Sequence, residues 1–99
     1  MRMLVQASID TERANAVIAE GKMPETMEQI LTVLKPEAAY FYPLHGRRGL
    51  VMVVDVTDEA DLIPLVEPLW MEMGADVEVA PCLTAQELQA GLARLTARS

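Results

Sequence analysis

Residues 37–56 read EAAYFYPLHGRRGLVMVVDV, and the way this stretch folds decides the architecture of the chain. Its second part, residues 50–56 (LVMVVDV), is short, rich in β-branched residues and apolar on both sides, the pattern of a strand. Its first part, residues 37–43 (EAAYFYP), is an aromatic-rich strand. Between them, His45-Gly46-Arg47-Arg48-Gly49 has two glycines as punctuation and is expected to be a turn. Two strands joined this way make a β-hairpin.

Toward the C-terminus, Thr57-Asp58 begin a helix whose buried stripe is Leu62, Leu65, Val66, Leu69 and Met73. Pro64 and Pro68 each remove a backbone donor and crowd the carbonyl four residues earlier, so a break near Ile63 and a kinked segment ending at Gly74 are expected. Residues 76–82 (DVEVAPC) alternate as a further strand, with Pro81 marking an edge or an end. Thr84-Ala85-Gln86-Glu87 is a capping box, and Leu88, Leu92 and Leu95 follow on one face of a short terminal helix.

Toward the N-terminus, Met23, Met27, Ile30, Leu31 and Leu34 form one helical stripe, opened by Pro24 at its favoured first position and closed by Pro36. Before it, Asp10 opens a shorter helix with Val17 and Ile18 as an apolar patch, and Gly21 stops it. Residues 2–9 (RMLVQASI) alternate as a strand. The order is β-α-β-β-α-β plus a terminal helix, which is the split βαβ or ferredoxin-like pattern: an α+β fold with a four-stranded antiparallel sheet and two helices on one face. At 99 residues, one domain spanning 1–99 is expected.

Composition narrows the function classes. The net charge is −7, from 8 basic and 15 acidic residues, which argues against a nucleic-acid binder and against an anionic membrane surface. The single cysteine, Cys82, excludes an intramolecular disulfide, and with a single histidine, His45, no metal cluster is expected. No apolar run approaches the length of a membrane span, and a cytoplasmic location is the expectation. No catalytic, metal-binding or phosphate-binding motif stands in the chain, and no cofactor is expected.

Alternation sorts the strand residues onto two faces. Met3, Val5, Ala7, Ile9, Leu50, Met52, Val54, Val56, Val77 and Val79 lie against the helices. The other face carries Leu4, Gln6, Ser8, Val51, Val53, Asp55, Asp76, Glu78, Ala80 and Cys82. A solvated sheet face would be polar throughout, so Leu4, Val51 and Val53 call for a cover. A second copy packed sheet to sheet supplies it and closes a barrel, whereas a terminal helix folded back would do so within one chain.

The strand order resembles the dimeric α/β-barrel superfamily, which includes small cofactor-free monooxygenases, muconolactone-isomerase-like proteins and many proteins of unknown role. The segments Met3-Leu4-Val5, Lys35-Pro36-Glu37-Ala38-Ala39-Tyr40-Phe41, Glu67-Pro68 and Val77-Glu78-Val79 are similar to a bacterial family of uncharacterised small proteins, across residues 2–92. The resemblance implies the fold and a homodimer. It brings no catalytic residue with it.

The candidate chemistry is therefore read from the residues. Asp55 ends a strand of valines, where a desolvated carboxylate could serve as general base; a strand-end acid bonded to the next helix is the plain alternative. Gln6, Ser8 and Glu78 could converge with it in an apolar cavity as a ligand site, or pair across a dimer or sit at the barrel rim. Tyr40 and Tyr42 share a strand face, with Phe41 opposite, and could stack on a flat ligand; which side packs on the helices is open at this point. His45 is the default acid–base residue, but a hairpin tip is usually solvated. Trp70 could line a cleft between helix and sheet, or simply pack. Three functions fit these residues: binding of a small organic molecule between sheet and helices or inside the barrel; a cofactor-independent monooxygenase or isomerase of an aromatic or polyketide-like substrate; and a protein-interaction module using surface acids such as Glu25, Glu28 and Glu72.

Overall fold

The computed structural model describes residues 1–98. The first strand, β1 (Arg2–Ser8), leads into α1 (Thr11–Ala19) and α2 (Met23–Leu34). The hairpin β2 (Ala38–Leu44) and β3 (Arg47–Asp55) follows. A 3-10 turn (Glu59–Asp61) runs into α3 (Leu62–Met73), then β4 (Asp76–Pro81) and α4 (Ala85–Arg98). The sheet order is β2-β3-β1-β4, with every pairing antiparallel. With α1, α2 and α3 buried against one face, this is the ferredoxin-like α+β plan.

The core lies between that face and the helices. Val5 and Ala7 of β1, Leu50, Met52 and Val54 of β3, Ile30 of α2, and Leu69 and Met73 of α3 are fully buried. Each large member contributes roughly 1.5–3 kcal/mol by leaving water. Met3, Val56, Val77 and Val79 pack around this centre, so the helix-facing set read from alternation is the set that the helices cover.

Local chemistry sets the element ends. The Asp10 carboxylate caps α1 by accepting from the Arg13 N–H at 2.9 Å. Lys35 closes α2 in the left-handed region, at φ 46°. The hairpin differs from the five-residue turn expected at 45–49. The turn is His45-Gly46 alone, with φ values of 56° and 75°, and both residues in the left-handed region match the twist of the flanking strands. Arg47, Arg48 and Gly49 instead belong to β3.

The expected break near Ile63 is replaced by a change of helix type, from the 3-10 turn into α3 at Leu62. Pro64 falls in the first turn of α3, where its missing N–H had no intrahelical partner to lose. Pro68 lies inside the helix, which continues through it to Gly74 at φ 54°.

The terminal helix is longer than expected and does not fold back over the sheet. Residues 85–97 are all exposed, including Leu88, Leu92 and Leu95, and the longest dimension of the molecule reaches 58 Å. Its first turn is anchored. The Thr84 N–H donates to the Glu87 carboxylate at 2.8 Å, and the Glu87 N–H to the Thr84 hydroxyl at 3.1 Å. The Arg2 guanidinium also donates to Glu87. The Thr84 N–H, the Arg2 side chain and the Thr84 hydroxyl, in that order, hold the Glu87 carboxyl below the usual carboxylate range. A lowered acid pKa stabilises the anchored form above the ordinary carboxylate range, and that contribution is lost as pH falls through the lowered value. Protection of the amides at the start of α4, relative to their intrinsic exchange rates, is therefore expected to fall as pH drops through the lowered value, and Glu87→Gln is expected to show the same loss of protection at neutral pH.

Candidate functional site

The face of the sheet away from the helices shows how the sequence places its candidates. Register puts Tyr40 opposite Val51 and Tyr42 opposite Gly49, so both tyrosines share the open face with Gln6 and Ser8. Phe41 pairs with Leu50 and faces the helices. This answers which side of the aromatic strand meets the core.

Gly49 organises the hairpin end. It pairs with Ser8 on one side and Tyr42 on the other. With no side chain between them, β1 reaches β2 across β3: Gln6 Nε2 donates to Tyr42 Oη at 3.1 Å, and Ser8 Oγ to the Leu44 carbonyl at 3.0 Å. Leu44 then lies over the Gly49 backbone, and a Cβ added at Gly49 would meet the Leu44 Cβ at 2.5 Å. The hairpin end thus curls onto the open face, and Ser8 is buried beneath it.

A cleft of about 420 Å³ opens beside this curl. Gln6, Ser8, Asp76 and Glu78 form its strand side, Leu44 and His45 one wall, and Trp70 with Ala75 the other. It brings together five of the candidates from the sequence: Gln6, Ser8, His45, Trp70 and Glu78. Tyr42 joins them through its bond to Gln6. Tyr40 lies further out on the edge strand, 68% exposed. Asp55 does not join. It pairs with Arg2 at the opposite end of β1, is 59% exposed, and accepts from the N-terminal amine at 3.2 Å. The bond to the following helix expected as its plain role is replaced by this ion pair. His45 is exposed in the turn. Among the described residues, no group of three His, Cys, Asp or Glu side chains is placed to hold a metal ion.

A larger space lies on the other side of the hairpin. An open groove of about 620 Å³ runs between β2–β3 and the elbow joining α1 to α2. Ile9, Ile18, Met23, Met27, Phe41 and Pro43 supply its apolar lining, and Arg47 and Arg48 stand along it. Ile18 and Phe41 are 44% and 55% exposed, large apolar side chains left uncovered by the chain itself. Arg48 Nη1 donates to Asn15 Oδ1 at 3.0 Å, which ties the hairpin to α1. Sequence reasoning passed over this groove. Met23 and Met27 fit the core stripe of α2, and Arg47 and Arg48 look like turn residues. The available signal was Ile18, an apolar residue on α1 with no stripe to belong to.

No protein-family model and no curated protein matches the chain. Among solved structures, the de novo designed protein Ferredog-Diesel is similar at a TM-score of 0.47 and 12% identity, over 82% of this chain and 85% of that one. No helix among the described residues is long and apolar enough to cross a membrane.

Proposed function

We propose that the chain is a homodimeric α/β-barrel protein that binds a small organic molecule between its sheet and its helices, in the groove beside the hairpin. The groove carries the reading. About 620 Å³ of largely apolar space with a few placed polar groups is the usual character of a small-molecule site.

The pairing is supported by the open face, where Leu4, Val51 and Val53 lie beside Tyr40 and α4 leaves them without a cover. Two such faces packed together would bury about 800 Å² per partner, typical of a stable complex. The convergence of Gln6, Ser8, His45, Trp70 and Glu78 favours a second reading, in which the ligand sits in the cleft at the mouth of the barrel. A cofactor-independent oxygenase or isomerase has less to stand on. Asp55 is engaged by the N-terminal amine at the far end of the strand from His45, so the two weak proton-transfer candidates do not meet.

Native mass spectrometry tests the proposal. A dimer that retains extra small-molecule mass is expected, and Met27→Trp, which fills the groove, is expected to keep the dimer and lose that mass. A monomer would overturn the pairing. A retained mass that survives Met27→Trp would move the ligand to the cleft.

A further inference from the structure

The groove is apolar along its length, and the charge beside it has one sign. Arg48, opposite Pro43 on the helix side of the hairpin, lines it, Arg47 borders it at the turn with its side chain opposite Leu44 on the open face, and no carboxylate lines it. Arg48 has a neutral partner, Asn15, which fixes the guanidinium and leaves most of its donors free. In a chain of net charge −7, two adjacent arginines without an acid are a local exception. Arg is suited to binding carboxylate, sulfonate or phosphate heads, in a bidentate fashion and at little cost in desolvation. The methionines add adaptability, since unbranched thioether chains repack around bodies of different shape.

We propose that this groove takes a small amphipathic acid, with its apolar body against Ile18, Met23, Met27 and Phe41 and its anionic head on Arg48. The assignment rests on the groove being the ligand site and adds the chemical class. It also explains the placement of Arg48: a strand residue at the start of β3, held by the two-residue turn, rather than a mobile residue in a loop.

Decanoate, decanol and decyltrimethylammonium, equal in apolar body and different in head charge, provide the test. Binding is measured by calorimetry and located by the methyl signals of Met23 and Met27 in NMR spectra. Decanoate is expected to shift both methyls and to bind about tenfold more tightly than decanol, the scale of one charge-assisted hydrogen bond, with the cation weaker still. Arg48→Gln is expected to weaken decanoate about tenfold and to leave decanol unchanged. The glutamine amide can still donate to Asn15 Oδ1, and circular dichroism checks that the fold is kept.

Equal affinity for decanoate and decanol, with both methyls shifted, would overturn the acid while leaving the groove as the site. Failure of all three probes to shift Met23 and Met27 would overturn the groove as well. Close proton contacts from those methyls to Leu88, Leu92 or Leu95 in the ligand-free protein would make the groove a seat for a terminal helix and overturn the proposal.

Discussion

Gly49→Val is expected to lower stability by about 3 kcal/mol, seen as a fall of roughly 12 to 24 °C in the thermal midpoint. The Cβ at this position meets the Leu44 Cβ at 2.5 Å, the Tyr42 carbonyl at 3.0 Å and the Ala7 carbonyl at 3.1 Å. Two of the three are backbone atoms inside a sheet and cannot swing aside. The hairpin end must lift, and the bonds from Gln6 to Tyr42 and from Ser8 to Leu44 lengthen together. Adding Leu44→Gly removes the tightest contact, so the double variant is expected to recover part of the loss but not all of it. An unchanged midpoint in Gly49→Val would mean that the curl over the open face contributes nothing to the fold.

Val53→Asp is expected to split the proposed dimer while leaving each chain folded. Val53 pairs with Leu4 on one side and Ala38 on the other, in the middle of the open face, and is half-buried within a single chain. Pairing sheet to sheet would remove it from water. An unpartnered carboxylate buried there costs about 3–5 kcal/mol, and each protomer brings one. The dissociation constant is then expected to rise at least about a thousandfold. Sedimentation velocity reads the mass and circular dichroism the fold. A Val53→Asp protein that stays paired would remove the open face as the contact surface.

The sequence shows the elements well wherever one side of an element is polar. Val5, Ala7 and Ile9 alternate with Gln6 and Ser8, so the facing of β1 follows from the pattern alone. The stripe of α2 is equally legible. In β2, Tyr40, Phe41 and Tyr42 carry no polarity contrast, and only the register against Gly49, Val51 and Leu50 decides which face each takes. The hairpin tip misleads for a different reason. Two arginines and two glycines are loop composition, yet His45 accepts the left-handed conformation and the turn needs only two residues. Gly49 is then required within a strand by a contact distant in sequence. The groove is hidden for the same cause: its lining comes from three segments, and no local period ties Ile18 to Phe41. The candidate site is legible in part. Gln6, Ser8 and Glu78 share a face by alternation, whereas the approach of Trp70 and His45 depends on how α3 and the hairpin end against the sheet.

β2 is an outer strand of the sheet, and it carries Pro43 near its end. Its sequence, AAYFYPL, is aromatic and uncharged, the composition that templates cross-β fibres when one backbone edge is free. Pro43 withdraws a donor from that edge and blocks a continuous run of hydrogen bonds to an incoming strand. The other outer strand, β4, is guarded by Asp76 and Glu78 and ends at Pro81. The two prolines therefore have a colloidal consequence: they keep a protein with an exposed aromatic strand from polymerising edge to edge, and leave its broad face as the surface through which copies can meet.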